Sequence, residues 1–290
     1  MKLENLKVIW NNAIKDLLNT TFEDDVIEVL ALQTIDSIRR IQIYETYSIK
    51  AEIAENSNLP YHHTSNPFTL SQRESLDQNS KAWYIYLATY FGKSNKSKWE
   101  LFNRSAFKSN KELIKPETIL LDKEKYYASL RELNFFNGMN YSNHRKYSKK
   151  SLDGKKGVFQ SMDYFLDNIS SFALKTEIEF DVMYKESHKV PNFGRMAAFD
   201  FTSSMCKCKL NVKEPKSMYQ QYSSGPLKAL KDLLIISKKR NKSKEAQITL
   251  GNDLLSWFEA KTNIFVVAQV LEDAICNWQK SPKKYKKYFG

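Results

Sequence analysis

Only eight glycines and seven prolines interrupt a chain of 290 residues. Tight reversals need those residues, so a chain this poor in both argues against a turn-rich all-β fold and against a Rossmann domain. Apolar residues recur instead at spacings of three and four. Asp24 and Asp25 precede Val26, Ile27, Val29, Leu30, Leu32, Ile35 and Ile38, which puts negative charge at a helix start. Ser80 is the expected cap of a helix over residues 81–91 that stops at Gly92. Further helices are expected over residues 117–133, 163–186 and 252–278. The reading is a mainly α fold, a single helical domain over residues 1–290 with room for two lobes.

A hydrophobic content of 42% with 13% aromatic residues supports a packed globule. The first seven residues mix charges and lack the apolar core of a signal peptide. No stretch approaches the ~20 apolar residues of a membrane span, and the run Ile264-Phe265-Val266-Val267-Ala268 ends at Gln269. Cys206, Cys208 and Cys276 match neither a disulfide framework nor a usual zinc spacing, so reduced, partly buried thiols in a cytoplasmic protein are expected. No metal, cofactor or membrane partner is called for, and a monomer is expected. The net charge of +12 favours a polyanionic partner, because each phosphate neutralised by Lys or Arg releases a counterion. Residues 56–73, with Pro60, Pro67, His62 and His63, read as a loop. Residues 137–157 carry Arg145, Lys146, Lys149, Lys150, Lys155 and Lys156 against one acid, Asp153, and suit either phosphate contact or a solvated loop.

The most informative segment is Val190-Pro191-Asn192-Phe193-Gly194-Arg195. A helix is expected before it and an Ala-rich apolar helix after it. Pro191 is read as ending the first helix and Gly194 as the tight point. Gly194 and Arg195 then open the second helix, where backbone N–H groups and the macrodipole suit a phosphate. This layout resembles the helix-hairpin-helix, which grips the DNA backbone without reading sequence. In the DNA glycosylases of that kind that also nick the strand, a lysine follows the hairpin. Its place here is Met196, so no Schiff base can form there. Two carboxyls stand downstream: Asp200, between Phe199 and Phe201, and Glu214, before Pro215. Either serves as a catalytic acid, a helix cap or half of an ion pair.

Gly225-Pro226 opens another helix, with Lys228 and Lys231 one turn apart as DNA-backbone contacts. No GxxxxGK[ST] occurs, so P-loop chemistry is unsupported. Lys238 to Lys244 form a basic loop read as general electrostatics. Along residues 270–282, Leu271, Ile275 and Trp278 make an apolar stripe. Glu272 is a further candidate acid there, and Asn277, Gln279 and Lys280 are candidate DNA contacts. The tail interleaves cations with Tyr285, Tyr288 and Phe289, a pattern compatible with nucleic acid.

Three stretches together resemble the alpha-glutamyl/putrescinyl thymine pyrophosphorylase family, clade 3. They are Phe193-Gly194-Arg195-Met196-Ala197-Ala198-Phe199-Asp200-Phe201, Gly225-Pro226-Leu227-Lys228-Ala229-Leu230 and Leu271-Glu272-Asp273-Ala274-Ile275-Cys276-Asn277-Trp278-Gln279-Lys280-Ser281-Pro282. A weaker fourth runs from Ala82 to Gly92. The resemblance implies a helix-hairpin-helix DNA glycosylase-like helical fold that acts on modified pyrimidines in phage double-stranded DNA. It favours Asp200 over Glu214, because Phe-Asp-Phe belongs to the shared pattern. The leading expectation is a monofunctional DNA glycosylase of hypermodified pyrimidines serving anti-phage defence. The alternatives are a transferase replacing pyrophosphate on hydroxymethyluracil in DNA, and a non-catalytic DNA-binding module.

Overall fold

The computed structural model describes residues 1–64, 66–133, 152–154, 157–220 and 224–288. Within them the chain forms 13 α-helices, and strand-like pairing is confined to isolated bridges. The protein is mainly α. In chain order come α1 (Leu3–Leu18), α2 (Asp24–Asn56), α3 (Pro67–Leu70), α4 (Gln78–Phe91) and α5 (Glu100–Ala106). Next are α6 (Pro116–Leu121), α7 (Lys123–Glu132), α8 (Val158–Asp167), α9 (Phe180–Ser187) and α10 (Arg195–Lys207). The last are α11 (Ser224–Ile236), α12 (Lys244–Lys261) and α13 (Val267–Trp278). They divide into two compact units: Met1–Ile43 with Pro215–Gly290, and Tyr44–Glu214.

The first unit buries the apolar faces of α1, the early part of α2, and α11 to α13. Leu6, Trp10, Ile27, Leu30, Leu230, Leu233, Phe258, Leu271 and Trp278 form its core. Trp10 packs on Phe258 at 4.8 Å between ring centroids and donates its indole N–H to Thr34 Oγ1 at 2.9 Å, so its polar atom is satisfied in the interior. The second unit is built around α4, whose residues from Ala82 to Phe91 are all buried. A helix apolar all round belongs in the middle of a fold. Tyr86 stacks on Phe165 at 4.2 Å, and Phe165 on Phe172 at 4.4 Å.

Several helix ends differ from the sequence expectation, each for a physical reason. The cap of α4 is Asp77, which accepts from the Ser80 amide at 2.8 Å; Ser80 is inside the helix and donates its hydroxyl to the same carboxylate. Gly92 does end that helix, at φ 62. The helix expected over residues 117–133 breaks at Asp122, whose side chain accepts from the Lys125 amide and starts α7. The one expected over 163–186 ends at Asp167, and the chain restarts only at Phe180. There Ile178 and Val212 pair side by side in a single bridge. The one over 252–278 is interrupted between Lys261 and Val267, where the Thr262 hydroxyl bonds back to Phe258 O at 2.8 Å. The loop expected over 56–73 contains a 3-10 turn, Tyr61–His63, and the short α3, which Asn66 caps. Most of the basic segment 137–157 lies outside the described residues.

Candidate active site

The turn before α10 is built differently from its sequence reading. α9 already ends at Ser187, so Pro191 lies within the turn. The tight point is Asn192, at φ 66, rather than Gly194, whose φ of −75 any residue adopts. A Cβ at Gly194 would meet nothing within 4 Å. Asn192 is one of the residue types that tolerate the left-handed region, and its amide donates to Tyr90 Oη at 3.4 Å. Phe193 plugs the turn into the core, stacking on Tyr86 at 5.6 Å and Tyr90 at 6.1 Å. Gly194 is the N-cap of α10 and no side chain caps that terminus. Arg195 is half-buried at its first position, and Met196 is 47% exposed.

Along α10, Asp200, Ser204 and Lys207 recur at four and three residues and so share one face. That face meets Tyr44, from the later part of α2. The Lys207 ammonium lies 4.6 Å from the centre of the Tyr44 ring. Burial pushes the Tyr44 hydroxyl well above its usual range; Cys208 and Asp200 add to the shift, and hydrogen bonding with Ser204 opposes it. Tyr44 therefore keeps its proton at neutral pH. Its ring belongs to a half-buried aromatic cluster: Tyr47 at 5.5 Å, Phe68 at 5.1 Å, and Trp99 at 5.7 Å from Phe68. Half-buried Asp200 thus lies on the helix face that Tyr44 meets, close enough to influence the Tyr44 hydroxyl. Tyr44 and Tyr47, one turn apart on α2, meet Phe68 and Trp99 from two other places in the chain, and no sequence motif joins the set.

Glu214 occupies different surroundings. It is exposed, just beyond the Ile178–Val212 bridge. Burial, with Glu214 nearby, pushes the Cys206 thiol up to about 12. At 3.6 residues per turn Cys206 points about 120° away from Asp200, so the two carboxyls address different sides of α10. Burial likewise holds Cys208 at about 12, opposed by Ser71. Both thiols stay protonated at neutral pH and are poor nucleophiles. Among the described residues no three His, Cys, Asp or Glu side chains group as metal ligands, and no helix is long and apolar enough to cross a membrane.

The remaining candidates lie in the other unit, where the structure joins two stretches distant in sequence. Gly225, at the start of α11, packs against Cys276 of α13, and a Cβ there would fall 2.6 Å from Cys276 Sγ. Gly225 is thus required for close approach of two helices. Gly225→Ala should lower stability by about 1–3 kcal/mol through overpacking, and Gly225→Ala with Cys276→Ala should restore most of it; thermal unfolding of both variants checks this. Lys228 and Lys231 are exposed on α11, and Glu272 is half-buried on α13. Asn277 is buried and accepts from Lys280 Nζ at 2.7 Å, while Lys280 also lies over the Tyr288 ring at 4.5 Å. Gln279 donates to Cys276 O at 3.2 Å. Asp273 pairs with Arg40 at 3.1 Å. Buried polar atoms without a hydrogen-bond partner gather on these helices: Gln33 Oε1, Ser37 Oγ and Arg40 Nη2 on α2, and Gln269 Oε1, Trp278 Nε1 and Gln279 Oε1 on α13. Each such atom costs about 1–3 kcal/mol while unmet.

The stretches just placed on α10, α11, α13 and α4 all fall inside one match: the family model for alpha-glutamyl/putrescinyl thymine pyrophosphorylase clade 3 covers residues 25–290. The chain belongs to that family. Comparison with curated proteins and with solved structures gave no match. The family's name denotes a thymine pyrophosphorylase, a different activity from hydrolysis of the base–sugar bond. This corrects the expectation of a DNA glycosylase.

Proposed function

We propose that this clade 3 pyrophosphorylase is a DNA-modifying transferase. It replaces the pyrophosphate of a pyrophosphorylated 5-hydroxymethyluracil with an amine or amino acid. The observation that carries the reading is family membership over residues 25–290. In the proposed reaction the amine lone pair forms a C–N bond to the 5-methylene carbon. The C–O bond to pyrophosphate breaks, and pyrophosphate leaves with the electron pair. The new ammonium loses one proton. The base–sugar bond stays intact.

The roles follow from the chemistry of each site. A base reacting at its 5-substituent must leave the duplex stack, and half-buried rings replace the stacking it loses. Tyr44, Tyr47, Phe68 and Trp99 are assigned that role. Asp200 accepts the proton of the attacking amine, and Lys207, two turns along the same face of α10, offsets the charge of the leaving group. Glu214 and then Glu272 are the alternatives to Asp200. The α10 terminus at Gly194 and Arg195 holds a backbone phosphate, as do Lys228 and Lys231 beside Gly225. Asn277, Gln279 and Lys280 are assigned to further contacts with DNA.

The test supplies duplex DNA carrying pyrophosphorylated 5-hydroxymethyluracil, with glutamate or putrescine, and follows released pyrophosphate by a coupled phosphate assay. Release that needs protein, this DNA and an amine is the expected result. Alkali-labile abasic sites, or no release with either amine, would overturn the reading.

A further inference from the structure

Several exposed cations in this structure pair with an acid within 3.0 Å. Lys108 meets Glu112, Lys189 meets Glu186 and Lys213 meets Glu179. The outer side of α11 and the connection to α12 depart from that pattern. Lys228 and Lys231 recur along the exposed side of α11. Lys238, Lys239, Arg240 and Lys242 follow in the connection, and Lys244 opens α12. None of them forms an ion pair with a described residue. The acids within the same stretch are Asp232, half-buried, and Glu245.

The connection is ordered by its own hydrogen bonds rather than by charge pairing. Lys238, at φ 56, closes α11, and its amide bonds to Ile235 O at 2.9 Å while that of Lys239 bonds to Leu234 O at 3.0 Å. Asn241 accepts from the Ser243 amide at 3.0 Å, and Ser243 caps α12. The cations are therefore displayed on a fixed backbone, and Asp232 beside Lys228 and Lys231, with Glu245 beside Lys244, offset only part of their mutual repulsion. From Lys228 to Lys238 the stripe extends about 15 Å along the helix.

We propose that this stripe is a second grip on the phosphate backbone of double-stranded DNA, independent of base sequence and of the reacting nucleotide. The inference rests on DNA being the partner. A membrane-surface helix would need its apolar face free, whereas that of α11, with Ala229, Leu230, Leu233 and Leu234, is consumed by the core. Apart from Ile235 and Ile236 at its last turn, the long side chains that α11 leaves exposed are lysines spaced along a line, which suits a regular row of phosphates.

The test measures binding of unmodified duplex DNA at several salt concentrations, so its result does not depend on pyrophosphate release. One variant carries Lys238→Gln, Lys239→Gln, Arg240→Gln and Lys242→Gln. A control removes equal charge elsewhere, through Lys15→Gln, Lys50→Gln, Lys93→Gln and Lys125→Gln. The stripe variant should bind at least tenfold more weakly at physiological salt, and its slope of log K against log salt should fall by about four, about one per cation. The control should keep affinity within about threefold, with circular dichroism matching wild type in both. Equal losses in the two variants, no change in the stripe variant, or a loss of binding to phosphatidylserine vesicles with DNA binding retained would overturn the inference. A wild-type chain that binds no DNA would remove the DNA partner itself, whereas failure of the stripe alone leaves the transferase reading standing.

Discussion

Asp200→Asn should release pyrophosphate about 10²–10⁴-fold more slowly than wild type while binding the same DNA within about threefold. Asparagine keeps the shape and a hydrogen-bonding oxygen but cannot take a proton from an attacking amine. A purely positioning carboxyl would leave much of the rate, because the amide retains most of its contacts. The location of Asp200 makes the prediction sharp. It lies half-buried on the face of α10 shared by Ser204 and Lys207, against Tyr44. Glu214→Gln and Glu272→Gln provide the comparison, as Glu214 is exposed and Glu272 belongs to the other compact unit. Each should stay within about tenfold of wild type. A large loss at Glu214→Gln with Asp200→Asn unaffected would move the proton acceptor to the other side of α10. Initial-rate kinetics with saturating amine decide between them.

Phe193→Ala should destabilise the Tyr44–Glu214 unit by about 3–5 kcal/mol, the range for emptying a large aromatic from a core. Phe193 is 5% exposed and stacked on Tyr86 and Tyr90, with Phe201 at 6.1 Å. On that scale the thermal midpoint falls by about 10 °C. Gly194→Ser, one residue later, should change stability by no more than about 0.5 kcal/mol, since a serine fits the N-cap and its Cβ meets no neighbour. Adjacent residues of one turn thus separate into a structural anchor and a surface position. Similar unfolding midpoints for the two variants would show that the turn is not held through Phe193.

The helical character of the chain was legible because glycine and proline are scarce along most of the sequence. The start of α2 at Asp24 and the end of α4 at Gly92 were legible for a related reason: both signals are local. The breaks within the three longer expected helices were not. Their ends depend on contacts such as Ile178 beside Val212, which periodicity cannot register. Gly194 drew attention as the flexible point of the turn, yet the positive φ belongs to Asn192, because the reversal falls two residues earlier than the sequence suggests. Asp200 could be singled out as a carboxyl between phenylalanines. The ring cluster of Tyr44, Tyr47, Phe68 and Trp99 could not, since it assembles only when α2, α3 and the start of α5 pack. Gly225 read as a helix opener, whereas its closeness to Cys276 gives it a packing role that only the folded chain reveals. The glycosylase expectation came from likeness of one turn to a DNA-gripping hairpin and from the glycosylase-like fold that the family resemblance implies. A turn can report how a backbone is held, but it does not carry the bond that is broken.

The most direct measurement follows the nitrogen itself. DNA containing pyrophosphorylated 5-hydroxymethyluracil is incubated with the protein and a heavy-nitrogen amine, then digested to nucleosides for mass spectrometry. Heavy nitrogen bonded to the 5-methylene of an intact nucleoside, in amounts matching the pyrophosphate released, is the predicted result. Free modified base with no heavy nitrogen in any nucleoside would contradict the account.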